Sequence, residues 1–130
     1  MDIREISTPA LAYLGDCVLE LRVRHHLIES GLSTSAHLNA AALDYVRAPV
    51  QAEAMKRILP ILTEEEEAVF RRGRNMGHTN TPKRATVAEY RNATGMEALF
   101  GYLYMTGQQA RIDALFALAY VKEEKNEDSL

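Results

Sequence analysis

The chain has 130 residues, 47% of them apolar and 25% charged, with 15 basic and 18 acidic side chains for a net charge of −3. That composition excludes a chain disordered throughout, and the length predicts one domain with a modest core. No apolar run approaches the roughly 20 residues that cross a bilayer. The N-terminus lacks an apolar signal core, and the lone Cys17 excludes a disulfide framework or a cysteine-built zinc site, so the expected compartment is the cytoplasm.

Helical signals recur along the chain and strand signals do not. From Pro9 to Glu29, Leu11, Leu14, Val18, Leu21 and Ile28 follow helical spacing, and Leu19, Val23 and Leu27 add apolar cover. Such an all-round apolar helix is expected in the middle of the domain, with Gly31 as its stop. Ser33-Thr34-Ser35 offers N-caps for a helix from about Ala36 to Val46. Pro49 and Pro60 bracket the next helix. Thr63 with Glu66 reads as a capping box opening a helix that stops at Gly73. Thr86 with Glu89 reads as a second box, opening a long helix to about Thr106, and a last helix runs from Gln108 to Tyr120. The expectation is one all-α domain over residues 1–120 with about six to seven helices, and a polar tail over 121–130.

Two acids stand where acids are costly. Asp16 sits among apolar neighbours in PALAYLGDCVLEL, with Glu20 and Arg24 following at helical spacing, and Glu97 precedes an uncharged run from Ala98 to Met105. A buried, unpaired carboxylate costs several kcal/mol, so each needs a partner or must become neutral. One reading is a salt-bridge ladder of Asp16, Glu20 and Arg24 on an exposed face, with Glu97 in solvent. The other is that the two most apolar helices pack together and bring Asp16 and Glu97 side by side, a pair of hard oxygen ligands suited to Mg²⁺.

Residues 68–88 contain no acid and five bases: Arg71, Arg72, Arg74, Lys83 and Arg84. Interspersed Gly, Asn and Pro make this stretch loop-like. It could present cations to phosphate, or simply balance the acids before it. The tail from Val121 contributes −2 and Glu64 to Glu67 contribute −4, leaving +3 for everything else. The acidic total therefore does not exclude a nucleic-acid partner. Adjacent His25 and His26 cannot share a metal as an i,i+4 pair would, and Cys17 is expected to pack as a small apolar residue.

ALAYLGDCVLELRVRHHL resembles the signature helix of the ribonuclease III catalytic domain, and ATGMEALFGYLYMTG resembles that family's second catalytic helix. The intervening LTEEEEAVFRRGRNMGHTNTPKRATVAEYRNATG resembles the compact branch called Mini-ribonuclease III. The resemblance implies an all-α homodimeric endonuclease that cleaves double-stranded RNA with Mg²⁺ (Mn²⁺ as substitute), leaving 5′-phosphate and 3′-hydroxyl ends. It implies metal ligation by Asp16 and Glu97, and a substrate in precursor large-subunit (23S) ribosomal RNA. It also implies that Tyr13, three residues before the aspartate, enters the partner subunit. Where longer relatives carry further acids, this sequence has Pro9, Ala12 and Thr94.

A two-fold dimer suits the two antiparallel backbones of a duplex. Only 33 residues follow Glu97, too few for an appended double-stranded-RNA-binding module, so the grip is expected from Arg71, Arg72, Arg74, Lys83 and Arg84, reading A-form shape. Glu20 is expected to support Asp16 from one turn away. The rival readings are a non-catalytic RNA-binding or ribosome-assembly factor on the same fold, and a helical adaptor protein.

Overall fold

The computed structural model describes residues 1–76 and 85–121, and every regular element in them is helical. In chain order these are α1 (Thr8–Glu29), α2 (Ser35–Val46), α3 (Ala48–Ile58), α4 (Glu64–Arg74), α5 (Val87–Met105) and α6 (Gln109–Phe116). Short 3-10 turns at Ile3–Glu5 and Leu59–Ile61 and a π-helical turn at Ala117–Val121 complete the set. Lys83, Arg84 and the polar tail beyond Val121 lie outside the described residues.

Local chemistry sets the boundaries. The Ser7 hydroxyl caps α1 by accepting from the Ala10 N–H, and Thr34 does the same for α2 through His37. Both expected capping boxes form: Thr63 with Glu66 opens α4, and Thr86 with Glu89 opens α5, each closing two reciprocal bonds of 2.9–3.1 Å. Gly31 and Gly107 end α1 and α5 with positive φ, where a side chain would be strained. Gly73 does not end α4, which continues to Arg74. Its missing side chain has another use: a Cβ there would lie 2.8 Å from Ala98 Cβ and 2.9 Å from Gly95 Cα, so it lets α4 close onto α5.

α5 is the axis of the molecule, with α1, α3 and α4 packed around it. Met96, Leu99, Phe100 and Leu103 of α5 are fully buried against Leu19, Met55, Ile58, Phe70, Ile112 and Leu115. Each such side chain contributes about 1.5–3 kcal/mol by leaving water. α2 contributes no buried residue and leans on Val23, Leu27 and Phe116 through Leu38 and Tyr45.

α1 departs from expectation. It is not enclosed: Leu11, Leu19, Val23 and Leu27 face the core, but Tyr13 is 85% exposed, Leu21 68% and Ile28 64%. One chain has helices enough to cover only one side of α1. Cys17 shares this outer face and is exposed rather than packed.

Candidate active site

The site begins with glycine. A Cβ on Gly15 would overlap the Glu97 carbonyl oxygen, and one on Gly101 would overlap the Leu11 carbonyl. The two glycines lie at the crossing of α1 and α5, where the backbones touch without intervening side chains. Asp16, the residue after Gly15, is thereby carried to Glu97. The apolar environment of α5 does the rest: Glu97 is half-buried, and its carboxyl is pushed up to about 8, first by burial and then by the charge and hydrogen bond of Asp16. Asp16 itself is exposed. The arrangement is a pair of carboxyls in which Glu97 keeps its proton to about pH 8.

Among the described residues no cluster of three or more His, Cys, Asp or Glu side chains forms a larger metal cage. Thr94 does not substitute for a third acid, because its hydroxyl donates back to the Tyr90 carbonyl at 3.0 Å. The donor set is a pair of carboxylates at an open surface, a fit for a hard divalent ion that keeps waters of its own.

Tyr13, Asp16, Cys17, Glu20, Leu21 and Arg24 line one open groove along α1. Glu20 accepts from Arg24 at 3.4 Å, so part of the expected ladder exists, but Asp16 turns to Glu97 and does not join it. Beside this groove lies a second, mainly apolar one, in which Leu14, Leu21, Tyr104 and Ile112 share the lining with Arg22, Glu29 and Asp113.

One of the basic residues sits differently from expectation. Arg71 and Arg72 lie near the end of α4, as a helix to Gly73 requires, and Arg74 joins them in its last turn because the helix runs on past Gly73. Arg71 is paired with Glu67. Arg72 is exposed beside Thr8, Leu11 and Tyr102. Arg74 lies over the Phe70 ring and shares a cleft with Arg91. Arg91 escaped the sequence reading because Glu89 interrupts the acid-free stretch just before it, although the two are different faces of one helix.

Other polar groups are structural. Glu66 is 3% exposed and is gripped by Arg111 through bonds of 2.8 and 2.9 Å. Arg111 holds its carboxyl below the usual range. His26 packs against the Tyr45 and Phe116 rings at 5.7 and 5.9 Å, while His25 reaches Glu29 at the surface. No helix among the described residues is long and apolar enough to cross a membrane.

Comparison with known proteins gives concordant results. Residues 9–108 match the family model of the ribonuclease III domain. A Mini-ribonuclease 3 of Symbiobacterium thermophilum is 46% identical over 109 residues, covering 84% of this chain and 84% of the relative. A Mini-ribonuclease 3 of Streptococcus pneumoniae is 38% identical over 126 residues, covering 95% of this chain and 98% of the relative. A crystal structure of a Fusobacterium nucleatum protein superposes with a TM-score of 0.83 at 32% identity, covering 92% of this chain and 98% of that one.

Proposed function

The chain belongs to the ribonuclease III family of double-strand-specific endoribonucleases, and from that premise we propose that Asp16 and Glu97 form its cutting centre and hold Mg²⁺ there. The family is generally divalent-metal dependent, acts on double-stranded RNA and is typically dimeric. The observation that carries the proposal is the Gly15–Gly101 crossing, which sets Asp16 against a Glu97 whose carboxyl stays protonated to about pH 8 unless a cation compensates it.

When bound, the ion supplies positive charge to the scissile phosphate where negative charge develops. The chain's own part is to position and to discharge. The crossing fixes the two carboxyls on rigid helices, and Glu97 would give up its proton to solvent on holding the ion. Glu20, one turn from Asp16, pairs with Arg24 a further turn along, so the guanidinium does not neutralise Asp16 directly. Arg72 and Arg74 meet RNA phosphates, joined by Lys83 and Arg84, and Arg71 contributes less because Glu67 competes for it.

The exposed Tyr13 and Leu21 and the adjoining apolar groove are the face that a second copy covers, which supports a homodimer with one centre for each strand of the duplex. The substrate of this reading is precursor large-subunit ribosomal RNA in the cytoplasm, cut to 5′-phosphate and 3′-hydroxyl ends.

The test is cleavage of a folded ribosomal precursor in Mg²⁺ or Mn²⁺, mapped at nucleotide resolution, with Asp16→Asn and Glu97→Gln alongside. Wild-type cutting lost in both variants supports the centre. A wild type that binds duplex but never cuts it makes the chain a binding factor instead.

A further inference from the structure

The cleft between the end of α4 and the first turns of α5 is lined by Arg74, Asn75, Val87, Ala88, Arg91 and Asn92. Among the described residues two cations and two amides meet there without a carboxylate. Five other arginines are neutralised by acids: Arg4 with Asp2, Arg22 with Asp113, Arg24 with Glu20, Arg71 with Glu67 and Arg111 with Glu66. Arg74 instead has its guanidinium 5.7 Å from the Phe70 ring centre and donates to Asn75 Oδ1 at 3.3 Å. Among the described residues the Arg91 side chain has neither an ion pair nor a hydrogen bond.

Among the described residues no acid lines the cleft to supply the missing charge. Glu89, the nearest in sequence, has Oε1 engaged by the Thr86 N–H at 2.9 Å. The sequence contains no Asp or Glu between Glu67 and Glu89. Two like charges facing one cleft repel, and an anion seated between them converts that repulsion into two charge-assisted hydrogen bonds. Val87 and Ala88 bring the positive end of the 19-residue α5 to the same place.

The chemistry of the lining selects the anion. Among the described residues no aromatic ring lines the cleft to stack on a base, whereas a phosphate finds guanidinium forks and amide donors. Arg91 precedes Glu97 by six residues on one unbroken helix, about 9 Å along its axis at ~1.5 Å per residue. We propose that this cleft takes a backbone phosphate of the duplex flanking the one that is cut, with Arg91 and Arg74 on its non-bridging oxygens, so that α5 acts as a ruler between grip and cut. The inference rests on Asp16 and Glu97 being the cutting centre.

The test uses Arg91→Gln and Arg74→Gln, with Lys56→Gln on α3 as a matched loss of charge elsewhere. Duplex RNA binding is measured in EDTA between about 50 and 200 mM salt. Each arginine variant is expected to bind about tenfold more weakly and to lower the salt slope by about 1, while Lys56→Gln keeps the wild-type slope. In Mg²⁺, KM is expected to rise about tenfold with kcat changing far less, and cut positions to scatter. Arg91→Lys keeps the charge but loses the fork, and is expected to restore the slope and not the register.

An unchanged slope in Arg91→Gln, or an equal fall in Lys56→Gln, overturns the cleft as a phosphate site. If Arg74→Gln fails to fold, Arg91→Gln alone decides. A wild type that does not cut overturns the underlying reading, whereas a cutting wild type with an indifferent Arg91→Gln overturns only the cleft.

Discussion

Gly15 of α1 lies so close to the backbone carbonyl of Glu97 in α5 that one added methyl group would overlap the oxygen. The contact places a backbone where most helix pairs have side chains, and it is what seats Asp16 beside Glu97. Gly15→Ala is therefore expected to cost more than about 3 kcal/mol, since neither partner is a flexible side-chain end that could move aside. A urea unfolding curve reads this directly. A loss under about 1 kcal/mol would mean that the helices slide apart without penalty.

Glu97 makes stability fall as pH rises. Its carboxyl sits at about 8 in the fold against an ordinary value of 4.5, so the folded state holds the proton more tightly than the unfolded chain. The contribution is complete below about pH 4.5, declines as the unfolded chain ionises and is gone by about pH 8. In EDTA, the Tm difference between Glu97→Gln and wild type should grow in favour of the variant from pH 5 to 8. A difference independent of pH would contradict the shift.

If Asp16 and Glu97 hold Mg²⁺ as proposed, metal and proton compete for the Glu97 carboxyl. Mg²⁺ is expected to raise the wild-type Tm, more so with increasing free ion, and to release about one proton per site below pH 8. Calorimetry in two buffers of different ionisation enthalpy measures that proton. Asp16→Asn should abolish both effects while leaving the helical circular dichroism intact.

Glu66 has the opposite sign. Arg111 holds its carboxyl below the ordinary 4.5, so its contribution is present above that value and is lost as pH falls through the lowered one. Arg111→Met leaves Glu66 buried without its partner and is expected to cost about 3 kcal/mol at neutral pH. The deficit should narrow in acid, as chemical denaturation at pH 7 and pH 4 would reveal.

Tyr13→Ala should weaken self-association at least tenfold without changing the fold of the monomer, because the ring is 85% exposed on a single chain. Sedimentation velocity over a concentration series measures it. An unaltered monomer–dimer equilibrium would remove Tyr13 from the interface.

Much of this was legible in one dimension. Capping boxes at Thr63–Glu66 and Thr86–Glu89 are local hydrogen-bond chemistry, and so the starts of α4 and α5 were readable. Gly73 was misread as a stop because a glycine that ends a helix and one that admits a neighbouring helix look alike in sequence. The sidedness of α1 was also hidden, since apolar residues facing a core and those facing another molecule share one spelling.

By itself, then, the sequence determined the helices, the two anomalous acids and the acid-free stretch, all of which follow from spacing and residue type. Only the tertiary structure decided that Asp16 turns to Glu97 rather than to the Glu20–Arg24 pair, and that Arg74 faces Arg91 across a cleft without an acid. Those outcomes depend on how closely helices far apart in the chain approach each other. That approach is set by the absence of side chains at Gly15, Gly73 and Gly101, which periodicity does not register.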